Sequence, residues 1–91
     1  MKKTEISKKV RERIYQRDKY CIYCGTWCGD GYPRNIAHFI SRGAGGLGIE
    51  ENLYLVCPNC HIKEHNGELD RSIVVNYLKK LYPEVDYENN M

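Results

Sequence analysis

Two Cys-x-x-Cys pairs, Cys21/Cys24 and Cys57/Cys60, sit in the first and second halves of this 91-residue chain. So short a chain buries a modest share of its surface, and disulfides or a metal commonly supplement its core. Two residues between cysteines let both sulfurs reach one ion from a single backbone knuckle. A second knuckle then completes the tetrahedron of thiolates that zinc prefers. Such a metal staples the middle of the chain at both ends and supplies much of its folding free energy. Iron–sulfur ligation and a redox dithiol use similar spacing and are the competing readings.

The cysteine count of five is odd, and the basic start Met1-Lys2-Lys3 leads into no apolar run. Both features argue against a secreted disulfide framework and for a reduced, cytoplasmic protein. No stretch has the length of a membrane span. Cys28 either replaces Cys21 or Cys24 at the metal or is a small buried thiol, and the tighter Cys21/Cys24 register favours the second. The net charge of +2 conceals an asymmetry: residues 1–20 carry eight basic side chains against three acidic ones. A basic arm containing Lys8, Lys9, Arg13 and Arg17 suits a phosphate backbone, although a solvated helix face has the same composition.

Periodicity gives a single α+β domain. Residues 7–17 read as a helix capped by Ser7, with Val10, Ile14 and the stem of Arg17 on one face. Residues 20–25 read as a strand entering a knuckle at Gly25, residues 35–40 as a second strand, and residues 43–48 as a flexible loop. A turn at Glu50-Glu51-Asn52-Leu53 leads into Tyr54-Leu55-Val56. Pro58 opens a short helix that Asn66-Gly67 ends. Asp70 or Ser72 caps a last helix with an apolar stripe of Ile73, Val74, Tyr77, Leu78 and Leu81, and Pro83 stops it. The domain thus divides into a basic helix (1–19), a stapled core (20–66), a C-terminal helix (68–83) and a frayed tail (84–91). Tyr23, Trp27 and Tyr32 have faces that stack on bases, but eight tyrosines in this length serve a core and its rim equally well.

The order Ile36-Ala37-His38-Phe39-Ile40, Gly45-Gly46, Glu51-Asn52-Leu53 and Leu55-Val56-Cys57-Pro58-Asn59-Cys60-His61 resembles the HNH endonuclease family. The likeness is to its zinc-stapled branch and runs from about Arg11 to His65. It implies a ββα-metal core, treble-clef-like, that grips a divalent ion (Mg²⁺, Mn²⁺, Ni²⁺ or Zn²⁺) beside a structural Zn²⁺. It also implies metal-assisted hydrolysis of DNA phosphodiesters, in the setting of phages and mobile elements, often beside packaging proteins. His38 would then be the general base, its imidazole titrating near neutrality. Asn52 would hydrogen-bond across the ribbon and hold His38 in its working orientation, and His61 would ligate the ion. Independently of the likeness, His61 and His65 stand four apart on one helix face, a chelating arrangement that makes His65 a second candidate ligand.

Arg42, among glycines just past His38, is placed to clamp a phosphate. One position departs from the family pattern: Ala37 stands where many members carry a metal-binding Asp. The loss shifts the site toward nitrogen-loving metals, requires another ligand, or leaves a non-catalytic zinc module that binds nucleic acid or protein. A two-fold homodimer would let such a domain cut both strands of a duplex.

Overall fold

The computed structural model describes residues 2–90. Three helices, α1 (Lys8–Asp18), α2 (Pro58–His65) and α3 (Ser72–Leu81), surround an antiparallel ribbon of β1 (Asn35–His38) and β2 (Leu53–Val56). Single 3₁₀ turns occupy Arg42–Ala44, Glu50–Asn52 and Glu88–Asn90. Among the described residues no helix is long and apolar enough to cross a membrane.

Local chemistry sets the ends of these elements. Ser7 Oγ accepts from the Val10 amide at 3.1 Å and starts α1. The helix α2 begins with Pro58 in its first turn and ends in a Schellman motif. There Gly67, at φ 74°, lets its own amide reach Glu64 O and the Glu68 amide reach Lys63 O. Asp70 Oδ1 accepts from the Ser72 amide at 2.9 Å and so starts α3. The buried face of α3 is Val74, Val75 and Leu78, whereas Ile73 and Leu81 are exposed. Of the expected stripe, Val74 and Leu78 are buried and Tyr77 packs at the edge of the core with its hydroxyl on Asp18, while Val75 takes the place of the two exposed residues.

The strand β2 is buried along its whole length, and it pairs with β1 in the register Asn35↔Val56, Ile36↔Leu55, Ala37↔Tyr54 and His38↔Leu53. Its far edge is also closed: the Ile22 amide donates to Leu55 O, and the Leu55 amide donates to Asp18 Oδ2 at 2.9 Å. No bare edge remains there to recruit another chain. Residues 20–25 are not the strand expected of them. Only Tyr20 and Trp27 bridge, because Cys21 and Cys24 bend the backbone so that the Gly25 amide returns to Cys21 O.

Arg17 corrects the reading of the basic helix. Its guanidinium turns inward and forms a fork on Asp18, with Nε to Oδ1 at 2.6 Å and Nη2 to Oδ2 at 3.0 Å. It also donates to the carbonyls of Glu50 and Leu53 at 2.8 and 2.6 Å and lies against the rings of Tyr77 and Tyr82. Burial opposes the charge, but the hydrogen bonds and charge of Asp18 more than offset it and hold Arg17 more firmly protonated than usual. With every face of the group engaged, Arg17 has nothing to offer a phosphate.

The tail is a second correction. Tyr87 is 3% exposed, stacks edge-on against Phe39, and donates its hydroxyl to Glu51 O. Residues 84–89 therefore fold back over the ribbon end, while Met91 lies outside the described residues. Because Asp18 joins α1, β2 and α3, Asp18→Ala leaves a buried guanidinium uncompensated and should cost about 3–5 kcal/mol in denaturant unfolding of the metal-loaded protein. A change below about 0.5 kcal/mol would show the pair to be idle.

Candidate functional site

The sulfurs of Cys21, Cys24, Cys57 and Cys60 all lie within 4.8 Å of one another, and none is in a disulfide. Zinc–sulfur bonds of about 2.3 Å in a regular tetrahedron put sulfurs about 3.8 Å apart, and Cys24 and Cys57 stand at 3.7 Å. Three of the four are buried and Cys24 is exposed. Hydrogen bonds from the Thr26 side chain and backbone pull the Cys24 thiol down to about 6. Burial, above all, pushes Cys57 and Cys60 up. Four thiols this close ionise together only around a compensating cation, so the donor set and its geometry both fit zinc. Cys57 also caps α2, its sulfur accepting from the Cys60 amide at 3.4 Å, where the helix N-terminus favours a thiolate. Cys28 stays out of the cluster: it is buried, its sulfur donates to Thr26 O, and burial together with the neighbouring cysteines pushes its thiol up.

Beyond the staple, β1 and α2 enclose an open cleft of about 470 Å³ lined by His38, Ser41, Arg42, His61, Glu64, His65 and Arg71. His38 is the last residue of β1, and His61 and His65 sit on α2, both exposed. The second cysteine knuckle fixes the start of α2, and the β1–β2 register fixes His38, so the two imidazole sources share one cleft. Among the described residues the four sulfurs are the one group of three or more ligand side chains whose donor atoms converge. The imidazoles share a cleft without closing into such a set.

Asn52 bonds across the ribbon through its side chain. Its side chain is buried and bonded to backbone alone: Oδ1 accepts from the Ile40 amide at 2.8 Å, and Nδ2 donates to Ile40 O and Leu47 O. Its own carbonyl accepts from the Phe39 amide. Asn52 thus replaces strand pairing just beyond His38, which is why β1 ends there, and it fixes the main chain instead of the ring. The partner of the His38 ring is the carbonyl of Thr4, 2.9 Å from Nε2.

Two cleft residues were missed from the sequence. Glu64 receives the hydroxyls of both Tyr54, at 2.6 Å, and Tyr23 on Oε2. Burial first, then the bond and charge of Glu64, hold both phenols protonated far into alkali. Its spacing of three from His61 was the available signal. Arg71 lies over the Phe39 ring and donates through Nη2 to Phe39 O at 2.8 Å, while its Nε is buried without a partner. Nothing in its local sequence marks it. The other basic candidates divide: Lys8, Lys9 and Arg42 are exposed, and Arg13 makes a loose 3.5 Å pair with Glu50.

The HNH endonuclease family matches residues 21–67, which span both knuckles, the ribbon and α2. The chain belongs to the HNH endonuclease family. It is also similar to a protein of Nostoc sp. named anaredoxin, 32% identical over 63 residues that make up 68% of this chain and 79% of that one. Family membership carries the fold and a nuclease-type, metal-binding character. Residues 2–20, α3 and the tail lie outside the matched span.

Freshly purified protein should hold about one zinc per chain, and a strong chelator should unfold it where a mild reductant does not. Cys57→Ser should abolish stoichiometric zinc. Since each thiolate must shed a proton to bind, acid should release the ion, with stability falling as pH drops. Elemental analysis alongside circular dichroism from pH 8 to 4 tests this, and protein that stays folded and zinc-free throughout refutes the staple.

Proposed function

We propose that this protein is a metal-dependent DNA endonuclease that hydrolyses phosphodiester bonds at the β1–α2 cleft. The observation that carries the reading is the opening of His38 and His61 onto one cleft within an HNH core. His38 takes a proton from the attacking water as its oxygen bonds to phosphorus. The bond from phosphorus to the leaving sugar oxygen breaks, and that oxygen is protonated from solvent. A divalent ion, when bound, offsets charge developing on the phosphate and the leaving oxygen.

On this reading His61 and His65 hold that ion, and Glu64 supplies the carboxylate that Ala37 lacks. Arg42 and Arg71 give the cleft positive charge for a phosphate. Lys8, Lys9 and Arg13 add affinity along the DNA backbone with little choice of sequence. Asn52 is a positioning residue that acts through the backbone after His38. A non-catalytic zinc module is the second reading, and Ala37 is the residue that favours it.

A plasmid-nicking assay across Mg²⁺, Mn²⁺, Ni²⁺ and Zn²⁺ separates the two. His38→Ala should lower cutting by about 10²-fold or more while zinc content and DNA binding persist. Cutting that survives this change intact removes the proposed base, and no cutting with any metal favours the binding module. Glu64→Gln, which keeps the shape and the tyrosine contacts, should weaken Mn²⁺ binding at the second site by about tenfold or more, read by calorimetry on zinc-loaded protein. Equal affinity would take Glu64 out of the ligand set.

A further inference from the structure

The family match begins at residue 21, yet the ring of His38 is held by a residue well before it. Residues 2–6 are tied to the loop after β1 and to the His38 ring at several points. A turn joins the Glu5 amide to Lys2 O at 3.0 Å, and the Gly48 amide donates to Lys3 O at 2.9 Å. Ile6 packs against the core. Gly48 sits so close to this segment that a Cβ on it would lie 2.1 Å from Glu5 O. Between these anchors the Thr4 carbonyl meets His38 Nε2 at 2.9 Å.

A carbonyl oxygen only accepts, so the hydrogen in this contact belongs to Nε2. A neutral imidazole with its proton on Nε2 carries its lone pair on Nδ1. His38 ends its strand, and Asn52 restrains only the backbone beyond it. Ring orientation therefore has to come from elsewhere, and Thr4 O is its recorded hydrogen-bond partner.

We propose that residues 2–6, which precede the family core, form a clasp in which the Thr4 carbonyl, seated by Gly48, holds the His38 ring. The clasp rests on the nuclease reading and names the segment of this chain that orients its base. Thr4 is a positioning residue, acting through its main chain, so its side chain is dispensable. Gly48 is required for its lack of a Cβ.

The test uses the full chain, zinc-loaded. In the wild type, ¹⁵N-edited NMR of the His38 ring at neutral pH should show a protonated Nε2 whose hydrogen is protected from exchange, and a bare Nδ1. Gly48→Ala should lose that protected signal and lower kcat by about 10- to 10²-fold, with KM for plasmid and zinc content unchanged. A bare Nε2 or an unprotected one in the wild type overturns the clasp, and this measurement stands even if Gly48→Ala fails to fold. Gly48→Ala with full kcat and an intact signal overturns it equally. A protected Nε2–H in a protein that cuts with no metal overturns the nuclease reading instead, and with it the clasp's catalytic purpose.

Discussion

Four sulfurs within 4.8 Å repel as thiolates and contribute little as thiols, so this arrangement acquires its value only with a cation among them. The consequences extend beyond local stability. One knuckle precedes β1 and the other caps α2, so an ion there sets the position of α2 relative to the ribbon. That relation places His61, Glu64 and His65 along one cleft with His38. A domain of 91 residues has little apolar surface with which to fix such an angle otherwise. The staple and the cleft are therefore one design: the first is the geometric precondition of the second.

A second junction secures the opposite face of β2. Asp18 and Arg17 join α1 to the β2 backbone and, through Tyr77 and Tyr82, to α3 and its end. Buried charge of this kind seldom exceeds apolar packing in stability, but it is demanding about geometry. Removing Asp18 or Arg17 leaves the other desolvated and unpaired, which ties the elements to the register that joins them. The zinc end and the ion-pair end thus constrain β2 from both sides.

The parts legible from sequence were those whose chemistry is local. Ligand spacing gave both knuckles, capping residues gave the starts of α1 and α2, and Asn66-Gly67 gave the end of α2. The order of the histidines and asparagine gave the family. What escaped depends on direction or on backbone groups. A count of cations cannot tell that Arg17 turns inward while Lys8 and Lys9 face water, because a long guanidinium stem suits either. The stripe of α3 was right at Val74, Tyr77 and Leu78 but missed Val75, and no helical period encodes the polar junction that Tyr77 also serves. Tyr87, a lone aromatic in an acidic tail, carries no pattern that announces burial. Thr4 contributes a carbonyl, which every residue owns, so no residue type could have pointed to it.

Ala37 gains its meaning from its cross-strand neighbour. It pairs with Tyr54, whose ring is fully buried and whose hydroxyl reaches Glu64. Tyr23, edge-on to Tyr54, brings a second hydroxyl to the same oxygen. Two phenol donors on Oε2 restrain the carboxylate, while Oε1 takes no hydrogen bond from the described residues. A carboxylate at position 37 as well would bring a second negative charge into a cleft whose fixed cations are Arg42 and Arg71. Like charges at close range would oppose each other's ionisation. On the proposed reading, then, the acid has moved from the strand to the helix, three residues from His61, and the alanine is the compatible choice on a ribbon face that Tyr54, its direct cross-strand partner, already fills.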